Sequence, residues 1–149
     1  MKPLRRLVGY YKSKKLMLSM NILVCGSRNI KDKDVIYECI ENAIQEIDCD
    51  DMKLISGDAN GVDKISQDWA KDNNVKIDIY QPNWNKYGKA AGPIRNSQMI
   101  KNADFVVAIW DEESSGTKDT IIKAKEHNIT HIVFDKNGNI IDKGIQMSF

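Results

Sequence analysis

The chain has 149 residues, of which 42% are hydrophobic and 29% charged, with a formal net charge of +1. That length holds one domain with one good core and falls short of two, and no apolar run reaches the ~18 residues of a membrane-spanning helix. Cys25, Cys39 and Cys49, odd in number and without CxxC spacing, fit a reducing cytoplasm and neither a disulfide framework nor a zinc site.

The small net charge conceals an asymmetry. Residues 1–19 carry Lys2, Arg5, Arg6, Lys12, Lys14 and Lys15 and no acid, leaving 16 basic and 21 acidic residues in 20–149. The leader lacks the apolar centre and small-residue cleavage site of a signal peptide. It reads as a loose basic N-terminal extension, or else as a nucleic-acid or membrane-surface arm, ahead of a domain spanning 20–149. The mildly acidic remainder argues against a broad nucleic-acid surface.

Residues 21–25 (NILVC) form a short apolar run ended by Gly26-Ser27-Arg28, the pattern of a buried strand and a tight turn. From 34 to 47, Ile36, Ile40, Ala43 and Ile47 recur at the spacing of one helical face, with Glu38, Glu41 and Glu46 on the solvated side. Residues 52–55 are a second strand. It breaks into Ser56-Gly57-Asp58-Ala59-Asn60-Gly61, and a helix starts near Val62 with Ile65 and Trp69 inward. Residues 75–80 alternate as a third strand. The stretch 81–92, with Pro82, Trp84, Tyr87, Gly88, Lys89 and Gly92, has no periodicity of its own, and connections that long are often functional.

Pro93 suits the first turn of a helix running to about Lys101. Residues 104–110 (DFVVAIW) are the most continuous β-branched and aromatic run, hence a central strand. A helix follows at 117–126 and a fifth strand at 130–134. Asn137-Gly138 then reads as a hairpin turn into a short strand around Ile140 and Ile141. Strands alternating with helices predict a single three-layer α/β domain of Rossmann type, with a mainly parallel five-stranded sheet and a short C-terminal hairpin strand.

In such sheets ligands bind beyond the carboxyl ends of the strands. Gly26-Ser27-Arg28, the loop at 56–63 and the segment 111–117 each follow a predicted strand. They are expected to converge there with the helix carrying Arg95 and Asn96. Gly57, Gly61 and Gly116 are expected to supply positive φ and close ligand approach. The free N–H groups at helix starts attract anions, and a guanidinium matches phosphate in a bidentate fork. Arg28 and Arg95 are therefore candidate phosphate partners, or else ion-pair partners of Asp58, Asp63 or Asp111. Ser56, Ser114, Ser115 and Thr117 either cap helices or donate to the phosphate. Asp63 is a helix-dipole partner or an acceptor for a ribose hydroxyl. Trp84 and Tyr87 stack on a base or pin their loop. His127 and His131 are structural, and neither metal-ligand spacing nor a Ser/His/Asp arrangement occurs.

The motifs CGSR at 25–28, SGDANGVD at 56–63, NWNKYGKAAGPIRN at 83–96 and WDEESSGT at 110–117 resemble the SLOG superfamily, specifically its small YspA-like bacterial and phage members. The resemblance covers about residues 20–135. It implies a pocket for a nucleotide or nucleotide-derived signal, used in sensing, sequestration or phage–host conflict. The ligand-binding set it suggests is Gly26, Ser27, Arg28, Ser56, Gly57, Asp58, Ala59, Gly61, Asp63, Trp84, Lys89, Gly92, Arg95, Asn96, Asp111, Ser114, Ser115, Gly116 and Thr117, with no metal or cofactor. A homo-oligomer is also implied, since SLOG relatives commonly pair.

Two related families set the alternatives. DNA-processing protein A (Smf) proteins carry an SGxAxGxD loop and an arginine-asparagine pair like Arg95-Asn96, and they bind single-stranded DNA. The LOG phosphoribohydrolases release the base from nucleoside 5′-monophosphates, using a PGGxGTxxE loop and an arginine- and methionine-bearing helix. Arg95 and Met99 match that helix and Ser115-Gly116-Thr117 the loop core. Asn96 and Gln98 replace the helix's lysine and glutamate, Thr120 stands where the catalytic glutamate belongs, and Asp119 is one residue off. Glycoside cleavage needs a carboxylate beside the leaving bond, so this departure favours binding over hydrolysis.

Overall fold

A computed structural model describes residues 19–47, 49 and 51–144. The basic extension at 1–19 lies outside the described residues apart from Ser19, which opens the first strand. The elements in chain order are β1 (Ser19–Gly26), α1 (Lys33–Ile44), β2 (Asp51–Ser56), α2 (Val62–Asp72), β3 (Lys76–Ile79), α3 (Trp84–Tyr87), a 3₁₀ turn (Gly88–Ala90), α4 (Ala91–Asn102), β4 (Phe105–Ile109), α5 (Ser115–Glu126), β5 (Thr130–Phe134) and β6 (Ile140–Gly144).

The sheet order is β3-β2-β1-β4-β5-β6, with every neighbouring pair parallel except β5 and β6. The predicted architecture of five parallel strands and a C-terminal hairpin strand is the one found. The chain builds outward from β1 in one direction, returns, and continues from β4 in the other. β1 and β4 therefore flank the switch in strand order, where loops leave the sheet in opposite directions and open a crevice.

Alternating residues of the central strands feed two cores. Ile22, Val24, Leu54, Phe105 and Val107 pack with Ile36 and Ile40 of α1 and Val62 and Trp69 of α2. Leu23, Ile55, Val106 and Ala108 pack with Met99 and Ile100 of α4 and Ile121 and Ala124 of α5. β4 is buried along its whole length, as its unbroken apolar run requires. Asp32 rather than Asp34 starts α1, because its carboxylate accepts from the Asp34 and Val35 N–H groups. Asp135 organises the β5–β6 turn, accepting from the Asn137 and Asn139 N–H groups at 2.8 and 2.9 Å.

The stretch 81–92, read as irregular, instead contains α3 and the 3₁₀ turn. Asn83 caps α3 by accepting from the Lys86 N–H at 3.1 Å. A single helical turn is too short for a periodic pattern. Among the described residues no helix is long and apolar enough to cross a membrane, and Cys25, Cys39 and Cys49 are all free thiols.

Candidate functional site

Close backbone approach gathers the loops at the β1–β4 crevice. Gly26 ends β1 where an added Cβ would lie 2.4 Å from the Ile109 carbonyl oxygen and 2.6 Å from the Val62 side chain. Only glycine lets the start of α2 sit on the strand end. Gly61 has φ of +74°, and a Cβ there would meet the Arg28 carbonyl oxygen at 2.4 Å, so the second loop rests directly on the first. Ser27, fully buried, completes the junction by accepting on Oγ from the Asp111 N–H at 3.0 Å.

Gly57 and Gly116 do not take positive φ as expected. Gly57 instead lies directly beneath the guanidinium, where a Cβ would stand 2.7 Å from Arg95 Nη1. At Gly116 a Cβ would meet nothing within 4 Å. The residue opens onto free space.

That space is a cavity of about 470 Å³ lined by residues of all the predicted loops. Of the sequence candidates, Gly26, Arg28, Ala59, Asp63, Trp84, Gly92, Arg95, Asn96, Asp111, Ser114, Ser115, Gly116 and Thr117 line it. Ser27, Ser56, Gly57, Asp58, Gly61 and Lys89 do not. The first five of these shape the loops behind the wall, and Lys89 is exposed. Cys25, Asn29, Met99 and Thr120 line the cavity and were not candidates. Met99 and Thr120 were legible in principle, one helical turn beyond Arg95 and Gly116.

The N-terminus of α5 forms one wall. Its first hydrogen bond runs from the Lys118 N–H to the Ser114 carbonyl at 3.2 Å. The N–H groups of Ser115, Gly116 and Thr117 have no acceptor among the described residues. Ser114 occupies the cap position without capping through its side chain. Its hydroxyl donates instead to Asp111 Oδ1 at 3.0 Å, and the same oxygen accepts from the Glu113 and Ser114 N–H groups at 2.9 and 2.8 Å. Burial works to raise the Asp111 pKa, but these bonds together hold it well below the carboxylate range.

Arg95 forms another wall and is partly a structural brace. Nη1 donates to the Gly57 carbonyl at 2.6 Å and the Tyr80 carbonyl at 3.3 Å, and Nε donates to Asn96 Oδ1 at 2.9 Å. Nη2 makes no bond among the described residues. Asn96 passes the connection on, donating to the Gly116 carbonyl at 3.3 Å and to Asp119 Oδ2 at 3.0 Å. Neither Arg28 nor Arg95 forms an ion pair among the described residues. Burial disfavours the Arg95 charge, Asp63 partly offsets this, and Arg28 adds repulsion. Two cations facing one cavity beside a helix N-terminus form an anion-attracting field.

The carboxylates around the cavity differ sharply. Asp58, which carries a left-handed φ of 64°, pairs with Lys64 at 2.6 Å and accepts from Gln67 and Gln81. Asp119 pairs with Lys123 at 2.7 Å. Asp63 is 5% exposed and accepts on Oδ2 from the Ala59 N–H at 3.0 Å, but its buried Oδ1 has no partner. Burial pushes its pKa up to about 6, against lowering by Ala59, Arg95 and Arg28. Thr120 donates to the Gly116 carbonyl at 3.2 Å within its own helix. Burial raises the Cys25 thiol far above its ordinary pKa, which disfavours the nucleophilic thiolate.

Trp84 lies at the rim of the cavity. It is 54% exposed and stands beside Gly92, whose Cβ would lie 3.7 Å from the indole edge. Tyr87 is exposed and outside the cavity lining, with Lys86 Nζ 5.1 Å from its ring. His131 is buried and its Nδ1 lies 2.9 Å from the Ile129 carbonyl, a structural contact.

Residues 20–87 match the model of the YAcAr family, described as the YspA, cpYpsA-related SLOG family. Over this stretch the chain is similar to the YspA-related SLOG family. The match spans the CGSR and SGDANGVD loops and stops before Arg95 and the α5 N-terminus. The chain is also similar to the Gene 61 protein of Mycobacterium phage D29, at 28% identity over 119 residues, covering 76% of this chain and 94% of that protein. The X-ray structure of DNA processing protein A (DprA) from Streptococcus pneumoniae shares the fold at a TM-score of 0.59 and 19% identity, over 78% of this chain. The chain spans about half the length of that protein, 50% of it being covered.

Proposed function

We propose that this protein, as a member of the YspA-related SLOG family, binds a nucleotide or nucleotide-derived small molecule, as a sensor or sequestering agent. The phosphate sits on the N–H groups of Ser115, Gly116 and Thr117 with Arg28 and Arg95, and the loop at 56–63 encloses the sugar. The observation that carries this reading is the α5 N-terminus. Three free N–H groups open into the same cavity as two guanidinium groups that no carboxylate neutralises by ion pairing among the described residues. The exposed Trp84 indole at the rim offers a face for a base.

Calorimetry with a panel of mono-, di- and cyclic nucleotides tests it. Saturable binding by the wild type, weakened at least tenfold in Gly116→Val, supports the placement. Undiminished affinity in that variant rejects it.

A second reading, nucleoside 5′-monophosphate N-glycosidase, is supported by Asp63 alone. Asp58, Asp111 and Asp119 are held by cations or capping bonds, whereas Asp63 keeps an unpartnered oxygen and a pKa near the range of a general acid or base. Release of free base from the same nucleotide panel, abolished in Asp63→Asn, would select this reading. No turnover removes it.

A further inference from the structure

Oδ1 of Asp63 is the buried side-chain polar atom without a hydrogen bond among the described residues, and Asp63 lines the cavity. Leaving a buried carboxylate oxygen unsatisfied costs more than a typical hydrogen bond contributes. A folded protein keeps such a group where something else completes it. The partner that Oδ1 lacks is a donor. Arg95 and Arg28 are near enough to act on its charge through space, yet neither forms an ion pair with it.

We propose that Asp63 accepts a hydrogen bond from a sugar hydroxyl of the bound phosphorylated ligand, and so makes the site selective for hydroxylated over deoxygenated sugars. The proposal rests on the nucleotide reading above and adds what the second loop does for it. Its logic is one of adjacency. Arg28 and Arg95 serve both the anion and the surroundings of Asp63, so the donor that reaches Oδ1 lies within a few bonds of the phosphate. In a nucleotide those atoms belong to the sugar. The geometry behind Asp63 is fixed rather than adaptable: Ala59 holds Oδ2, and Gly57 leaves only 3.2 Å between an added Cβ and that same oxygen. A rigid acceptor with one unpartnered oxygen discriminates strongly, because a ligand lacking the hydroxyl leaves that oxygen unsatisfied.

The test compares affinities of the full chain for the best-bound nucleoside 5′-monophosphate and for its 2′,3′-dideoxy analogue. The wild type is expected to prefer the hydroxylated ligand by about tenfold or more, the factor a hydrogen bond to a charged group carries. In Asp63→Ala that ratio falls to near one. The isosteric Asp63→Asn, which keeps the shape and the Ala59 contact, provides a second variant should the alanine form fail to fold, and its ratio falls below that of the wild type. A wild-type ratio near one, or an unchanged ratio in either variant, overturns the role of Asp63 while leaving nucleotide binding intact. Absence of binding by any nucleotide in the wild type overturns the nucleotide reading and this proposal together.

Discussion

Arg95 Nη1 donates to the Gly57 carbonyl oxygen at 2.6 Å, so the cation of the fourth helix holds the loop that follows the second strand. The same nitrogen reaches the Tyr80 carbonyl at the end of the third strand. One side chain thus ties two loops to the helix that carries it. Its substitution disturbs the fold as well as any ligand. Arg95→Ala leaves two carbonyl groups unpaired and is expected to destabilise the protein by about 2 kcal/mol. Thermal or denaturant unfolding checks this. A variant as stable as the wild type would show the brace to be dispensable.

Arg28 separates the electrostatic from the structural contribution. Its side chain is exposed and forms no ion pair among the described residues. Arg28→Gln is expected to leave the melting temperature within a degree or two, the ordinary range for a surface change. It is expected to weaken nucleotide affinity by about three- to tenfold at low salt, with a smaller effect at high salt. Titration at two ionic strengths measures both.

The glycines are expected to fall into two classes. Gly26→Ala drives a methyl group to 2.4 Å from the Ile109 carbonyl and 2.6 Å from Val62, and is expected to cost about 2 kcal/mol or more. Gly116→Ala meets nothing within 4 Å and is expected to fold as well as the wild type while binding phosphate less tightly. Melting curves beside titrations decide the matter. Equal destabilisation in both variants would contradict the open space above the α5 N-terminus.

The Asp63 carboxyl is raised to about 6 from an ordinary value of 3.8, chiefly by burial. A raised acid stabilises the fold fully below its unfolded value, and that contribution is lost as pH rises through the folded one. The wild type therefore loses stability between about pH 4 and 6 from this group, up to roughly 3 kcal/mol. Asp63→Asn is expected to be more stable than the wild type at pH 7 and no more stable at pH 4. Stability curves of the two proteins against pH would contradict this by running parallel.

Much of this architecture was written in local pattern. The fourth and fifth strands follow from runs of β-branched and aromatic residues between turn signals, because burial on both faces leaves no polar alternation to confuse them. Convergence of the loops followed from the α/β class, since every candidate motif came directly after a strand. The order β3-β2-β1-β4-β5-β6 was not legible, because it depends on pairing between distant segments. The turn of helix at Trp84–Tyr87 was hidden by its shortness. Gly57 was assigned the wrong reason: its neighbour in space is Arg95, 38 positions later in the chain. The unpartnered Asp63 oxygen is a property of the assembled cavity, which no spacing in the sequence announces.

The free N–H groups at the start of the fifth helix are where an anionic ligand is expected to rest. Amide proton–nitrogen correlation spectra of the full chain, recorded while a nucleoside 5′-monophosphate is titrated in, address this at those atoms. Saturable shifts led by Ser115, Gly116 and Thr117, with Asp63 and Arg95 moving alongside, are the predicted result. A ligand that saturates the protein while these three amides stay fixed would contradict it.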